Sequence, residues 1–270
     1  MLSRLALCTA FAVAAQSPVI AQPSGVDGDV IDVEVLPGWR KAGMEHVAAL
    51  RLTLAPGWKT YWRAPGDAGI PPNFDWTGSD NVVNITPHWP VPEIFNQNGM
   101  RSIGYSDEVI IPLYVQRARS SDAIHLRAEI QIGVCEDICI PAFVSIDTML
   151  PPQGGMDDDI MDAIEDRPMT EGEASVSAVN CRVVPTDDGL GLTITVDMPP
   201  MGKNEAAAIE TADPSVWVAE PEITRQGNTL TAKTELIRYN AEPFALDRSG
   251  VRMTVFSTGE AVDIQGCTAG

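Results

Sequence analysis

The chain has 270 residues, 44% of them hydrophobic and 20% charged, with a formal net charge of −19. That apolar content is enough for one large core or for two domains of about 100 residues each. The acidic balance speaks against nucleic acid and anionic membrane surfaces as partners and favours solubility; a solvated acidic surface is the plainer reading, a basic partner face the other.

Residues 1–21 read as an export signal peptide. Arg4 precedes a small and apolar run from Leu5 to Ala15, and Val19-Ile20-Ala21 offers a small-residue cleavage site. The run is too short to span a bilayer, and no later segment reaches about eighteen consecutive apolar residues. No direct membrane insertion is expected, and Cys8 would leave with the signal. The expected location is periplasmic, as a soluble exported protein.

The mature part reads as all-β. Leu50, Leu52 and Leu54 alternate with polar residues, and Val109–Val115 forms the next strand. Ile124, Leu126, Ala128, Ile130 and Ile132 alternate with His125, Arg127, Glu129 and Gln131, and Phe143–Asp147 follows. Between Pro151 and Ser175 the pattern breaks: PPQGG is a linker signal, and MDDDIMDAIEDRP predicts a short, solvated acidic helix stopped by Pro168. Its aspartates lack calcium-loop spacing. Strands return at Leu190–Met198, Ser215–Ala219, Thr229–Leu236 and Val251–Phe256. The expected architecture is two immunoglobulin-like β-sandwich domains, 22–150 and 174–270, joined by a short acidic helical linker at 151–173.

Four mature cysteines remain: Cys135, Cys139, Cys181 and Cys267. An even number in an exported chain suggests two disulfides, with three possible connectivities. The simplest pairing is Cys135 with Cys139 and Cys181 with Cys267, each within one expected domain. Closing the long span would remove about 4.6 kcal/mol of unfolded-state entropy, and the short one only about 2 kcal/mol. The long loop therefore suits a structural disulfide, while the short one is a weak staple and geometrically tight. Strand parity turns both Cys135 and Cys139 away from the core. Glu136 and Asp137 would raise the thiol pKa values by like-charge repulsion. On these residues alone, a structural hairpin bond and an exchanging pair both fit.

The string GVCEDICIPA, with PGWKTYWRAPGDAGIPPNFDW, HWPVPEIFNQNG and SIGYSDEVIIPLYV upstream, resembles the N-terminal periplasmic domain of DsbD-type thiol:disulfide interchange proteins. It is similar in particular to the ScsB branch, associated with suppression of copper sensitivity. The resemblance covers about Gly38 to Pro151, and no diagnostic motif extends it into the second domain. It implies an immunoglobulin-like sandwich acting as a component of a protein-disulfide reductase system. Cys139 would attack and Cys135 would resolve. Electrons would come from a separate membrane-embedded thiol reductase and pass to thioredoxin-fold periplasmic proteins. The 270 residues contain neither a multi-helix membrane channel nor a thioredoxin-like domain, so the reductase is expected on another chain. The resemblance also implies a mobile aromatic cap over the cysteines. Phe95, followed by Asn96–Gly99, occupies that stretch, and Tyr61, Trp62 and Tyr105 are candidate lining residues.

No cofactor motif stands out. His46, His88 and His125 lack metal-ligand spacing, and Met44, Met100, Met149 and Met156 are scattered, as gap-filling methionines are. Three readings follow: electron transfer through the Cys135–Cys139 pair, a non-catalytic partner-binding module with structural disulfides, or a copper-handling protein using the pair as soft ligands.

Overall fold

Two-residue alternation of apolar and polar side chains builds β-sheets, and here it builds two sandwiches. The computed structural model describes residues 19–21 and 30–270, apart from residues 67, 68, 98, 121, 240 and 241. The export-signal reading and Cys8 lie outside the described residues, except for Val19–Ala21, which pair as a short edge strand with Val33–Val35.

In the first sandwich one sheet runs in the order Val19–Ala21, Ile31–Arg40, Glu45–Leu54, Glu108–Arg117, Val82–Pro87. The facing sheet runs Cys139–Leu150, Ile124–Cys135, Lys59–Tyr61, Met100–Ser106, Glu93–Gln97, with Asn73–Asp75 also on Ile124–Cys135. Leu50, Leu52, Ile111 and Leu113 from one sheet meet Leu126, Ile130, Ile132 and Val144 from the other. In the second sandwich Met169–Thr170, Glu260–Gln265, Arg252–Ser257 and Ala206–Glu210 form one sheet. Val216–Val218, Thr229–Arg238, Leu190–Asp197, Ala178–Pro185 and Thr268–Ala269 form the other, with Glu222–Gln226 also on Thr229–Arg238. Leu192, Ile194, Val196 and Leu230 pack there against Met253, Val255, Val262 and Ile264.

Strand Ile31–Arg40 escapes a reading by periodicity because a bulge between Leu36 and Trp39 breaks its register with Glu45–Leu54. Gly38 makes the bulge possible. Its φ is +60°, and a Cβ there would come within 1.8 Å of the Val47 carbonyl oxygen.

The acidic helix spans Asp158–Glu165, with the Asp157 carboxylate accepting from the Ile160 amide at 3.2 Å. It is not the solvated connector that its charge suggests. Ile160 is fully buried against Leu36, Val47 and Ala49 on the outer face of the first sheet, and Arg51 pairs with Glu34 and Asp159 across the contact. One apolar side chain per turn is enough to dock so short a helix. Among the described residues, no helix is long and apolar enough to cross a membrane.

Candidate redox site

The hairpin Ile124–Cys135/Cys139–Leu150 keeps continuous register from the Ile124–Leu150 pair to Cys135 opposite Cys139. The two cysteines are therefore the last cross-strand pair before the turn. Their Cα atoms are 4.1 Å apart and their sulfurs are bonded. Directly opposed residues share one face of a sheet. This bond closes a turn that the backbone ladder already closes, so it adds little to the fold.

Alternation sets which face that is. Val134, Ile132 and Ile130 point into the core, and Cys135 and Cys139 point the other way. The two sulfur-bearing residues nevertheless differ in access: Cys139 is exposed, while Cys135 is only 3% exposed. Lys59, on the adjoining strand, lies directly opposite Cys135, and Ser106 lies opposite Lys59. The Lys59 ammonium sits 5.0 Å from the centre of the Phe95 ring, and burial lowers its pKa from the ordinary lysine value. Phe95 itself is half-buried in strand Glu93–Gln97, in register with Ser102, so it sits in a hairpin and not in an open loop.

Tyr61 shares the cysteines' face and reaches them. Its hydroxyl lies 2.9 Å from Cys139 Sγ. A disulfide sulfur carries no hydrogen, so in this state the hydroxyl donates. Two glycines make room for the ring. A Cβ on Gly133 would fall 2.7 Å from Tyr61 Cδ2, and one on Gly69 would fall 2.9 Å from Cδ1. Burial raises the Tyr61 pKa and so keeps the phenol protonated as a donor at neutral pH.

The same alternation sends Trp62 and Tyr105 to the opposite face, where both join the core cluster and neither lines the disulfide. Trp62 is fully buried, and the Tyr105 hydroxyl donates to the Pro90 carbonyl at 2.9 Å. Neither is a lining residue, because one step along a strand reverses the face.

Around Cys139 the surface is apolar and then acidic. Ile138 is 75% and Phe143 52% exposed, Pro141 is exposed between Cys139 and Phe143, and Glu136 and Asp137 stand at the turn. Sequence reasoning missed Lys59, Gly69 and Gly133. Glycine within strand Ile124–Cys135 was the available signal, since it marks a close approach by another group.

Cys181 and Cys267 are also bonded, with Cα atoms 5.6 Å apart. Cys181 is fully buried in the second core, and the bond ties strand Ala178–Pro185 to the tail strand Thr268–Ala269 running parallel beside it. Among the described residues, no group of three or more His, Cys, Asp or Glu side chains could hold a metal ion.

A family model described as thiol:disulfide interchange protein DsbD, N-terminal, matches residues 32–151. The crystal structure of the N-terminal periplasmic domain of ScsB from Proteus mirabilis is similar in fold, with a TM-score of 0.68 at 23% identity. The match covers 94% of this chain and 100% of that one. No curated protein sequence matches the chain.

Proposed function

We propose that the chain is a thiol:disulfide interchange protein that carries electron pairs in the periplasm, its exchanging domain being the part, residues 32–151, that matches the DsbD N-terminal family model. It would take them from a separate membrane-embedded thiol reductase and deliver them to thioredoxin-fold client proteins. In this reading 1–21 is the export signal, 22–150 the redox sandwich, 151–173 the linker and 174–270 the second sandwich.

The observation that carries the proposal is the unequal access of two bonded sulfurs at a hairpin tip. An exchange needs one sulfur open to in-line attack and a second held nearby to resolve the mixed disulfide. Cys139 is exposed and Cys135 is covered beside Lys59.

In the reduced protein the Cys139 thiolate attacks one sulfur of a client disulfide. A Cys139–client mixed disulfide forms and one client thiolate leaves. The Cys135 thiolate then attacks Cys139 Sγ, closing the Cys135–Cys139 bond and releasing the second client thiolate. Two electrons pass to the client. Thiolate attack from the reductase on Cys139 Sγ reverses the sequence and restores the dithiol. The Tyr61 hydroxyl, at 2.9 Å, stabilises charge developing on Cys139 in both directions. Lys59 lies beside Cys135, and Phe95 packs on the Lys59 ammonium. The exposed Ile138, Pro141 and Phe143 give a partner an apolar landing area next to the reacting sulfur. The periplasmic placement follows the similar ScsB domain and the signal-like residues 1–21.

A Cys135→Ser variant tests the route. Mixed with an oxidised thioredoxin-fold protein, it is expected to stop at a covalent one-to-one adduct through Cys139, found by non-reducing electrophoresis and peptide mapping. An adduct through any other cysteine, or none, contradicts the assignment of roles.

A further inference from the structure

The strand that carries Tyr61 is only three residues long, Lys59–Tyr61; just beyond it the Trp62 amide still donates to the Ile103 carbonyl at 3.0 Å, while the side chains of Trp62 and Arg63 turn to the second domain. Thr60 pairs with Val134 on one side and Tyr105 on the other, and its hydroxyl donates to the Gly133 carbonyl at 2.9 Å. The side chains of Trp62 and Arg63 also contact the second domain. The Trp62 ring meets Phe256 edge-on, with centroids 5.3 Å apart. Ala206, Ala208 and Ala261 from the second domain belong to the same core cluster.

Arg63 continues the contact with charge. Its Nε donates to both Glu210 carboxylate oxygens at 3.2 and 3.1 Å, and its Nη2 donates to the Thr254 hydroxyl at 3.2 Å. The guanidinium also stacks 3.8 Å above the Trp62 ring. Asp263 lies 3.8 Å from Nη2 but is engaged by Arg252 through two bonds of 2.7 and 2.8 Å. A planar fork fixed at both edges and on one face leaves the Arg63 backbone little freedom.

We infer that the second domain positions the redox site: by clamping Trp62 and Arg63 it holds Tyr61 so that its hydroxyl stays on the Cys139 sulfur. Arg63, Glu210 and Phe256 are positioning residues in this account, since none touches either sulfur's partner. The clamp gives the second sandwich a task that its own sequence does not reveal. The inference rests on the reading of Cys135–Cys139 as the exchanging pair, and its test is independent of any client.

The experiment reads the Cys139 thiol directly in the reduced full-length chain, as the pH dependence of its alkylation by iodoacetamide followed by peptide mass spectrometry. A hydrogen bond to a thiolate stabilises the charged form, so Tyr61→Phe is expected to raise the apparent Cys139 pKa by about one unit, or about tenfold less thiolate at neutral pH. Glu210→Gln and Phe256→Leu are each expected to shift the profile the same way. In the Tyr61→Phe background both are expected to add nothing, because coupled residues are non-additive. Phe256→Leu preserves every charge, and it decides the matter alone if Glu210→Gln does not fold. An unchanged Cys139 profile in folded Phe256→Leu, or an equal shift with and without Tyr61, overturns the inference. Intact coupling alongside absent client exchange would retain the clamp and reject the exchange reading.

Discussion

Cys139→Ser is expected to reduce disulfide exchange with thioredoxin-fold substrates to the level of buffer, while leaving the fold in place. Both halves of that expectation come from the hairpin. A serine hydroxyl is not ionised at neutral pH and cannot form the mixed disulfide. The only other sulfur at the site, on Cys135, is covered beside Lys59 and 3% exposed. The fold survives because the backbone pairs Gly133–Pro141 and Val134–Ile140 lead straight up to the bond. The chain-entropy contribution of so short a loop is about 2 kcal/mol. Stopped-flow or gel-trapped exchange, beside a urea unfolding curve, separates the two effects. Exchange that persists in Cys139→Ser would mean that the reacting sulfur is elsewhere.

The second large effect falls on the other disulfide and is opposite in kind. Replacing Cys181 and Cys267 by Ala is expected to destabilise the second sandwich by about 4–5 kcal/mol, since the bond closes a long loop and one partner is fully buried. The mechanism is mainly the freed unfolded chain, with packing of Cys181 against the second core adding to it. The unfolding midpoint in urea measures it. The Cys135–Cys139 pair should remain oxidisable in the folded double variant, because the two bonds lie in different sandwiches. A double variant as stable as the parent would show that the native tail strand Thr268–Ala269 holds without its covalent tie.

The contrast between the disulfides also shows what one-dimensional reading can reach. The period-two runs around Ile124–Ile132 and Leu190–Met198 correspond to strands Ile124–Cys135 and Leu190–Asp197, because both bury one face along their whole length. Parity turned Cys135 and Cys139 away from the core, and the register shows why that held: the ladder runs unbroken to the turn. What parity could not give was cover. Cys135 is buried on its outward face by a neighbouring strand far away in sequence, and no periodicity along its own strand reports that. The Tyr61–Cys139 contact spans 78 positions and the Arg63–Glu210 contact 147, so neither leaves a local pattern. Of the three aromatics the resemblance offers as lining residues, strand geometry leaves Tyr61 at the disulfide and places Trp62 and Tyr105 on the other face. The resemblance implies a mobile cap loop at PEIFNQNG, yet Glu93–Gln97 pair with Met100–Ser106 as a hairpin. Acidic residues disguised the docked helix, whose single decisive contact is Ile160.

Of the two disulfides in this chain one is expected to exchange and the other not, and their reduction potentials distinguish them. The full chain would be equilibrated across dithiol buffers, thiols trapped, and the oxidised fraction of each pair read by mass spectrometry. The Cys135–Cys139 potential is expected between about −180 and −270 mV, within the range of exchange proteins, with Cys181–Cys267 well below it. Two equally resistant bonds, both below about −300 mV, would mark the pair as structural and contradict the account.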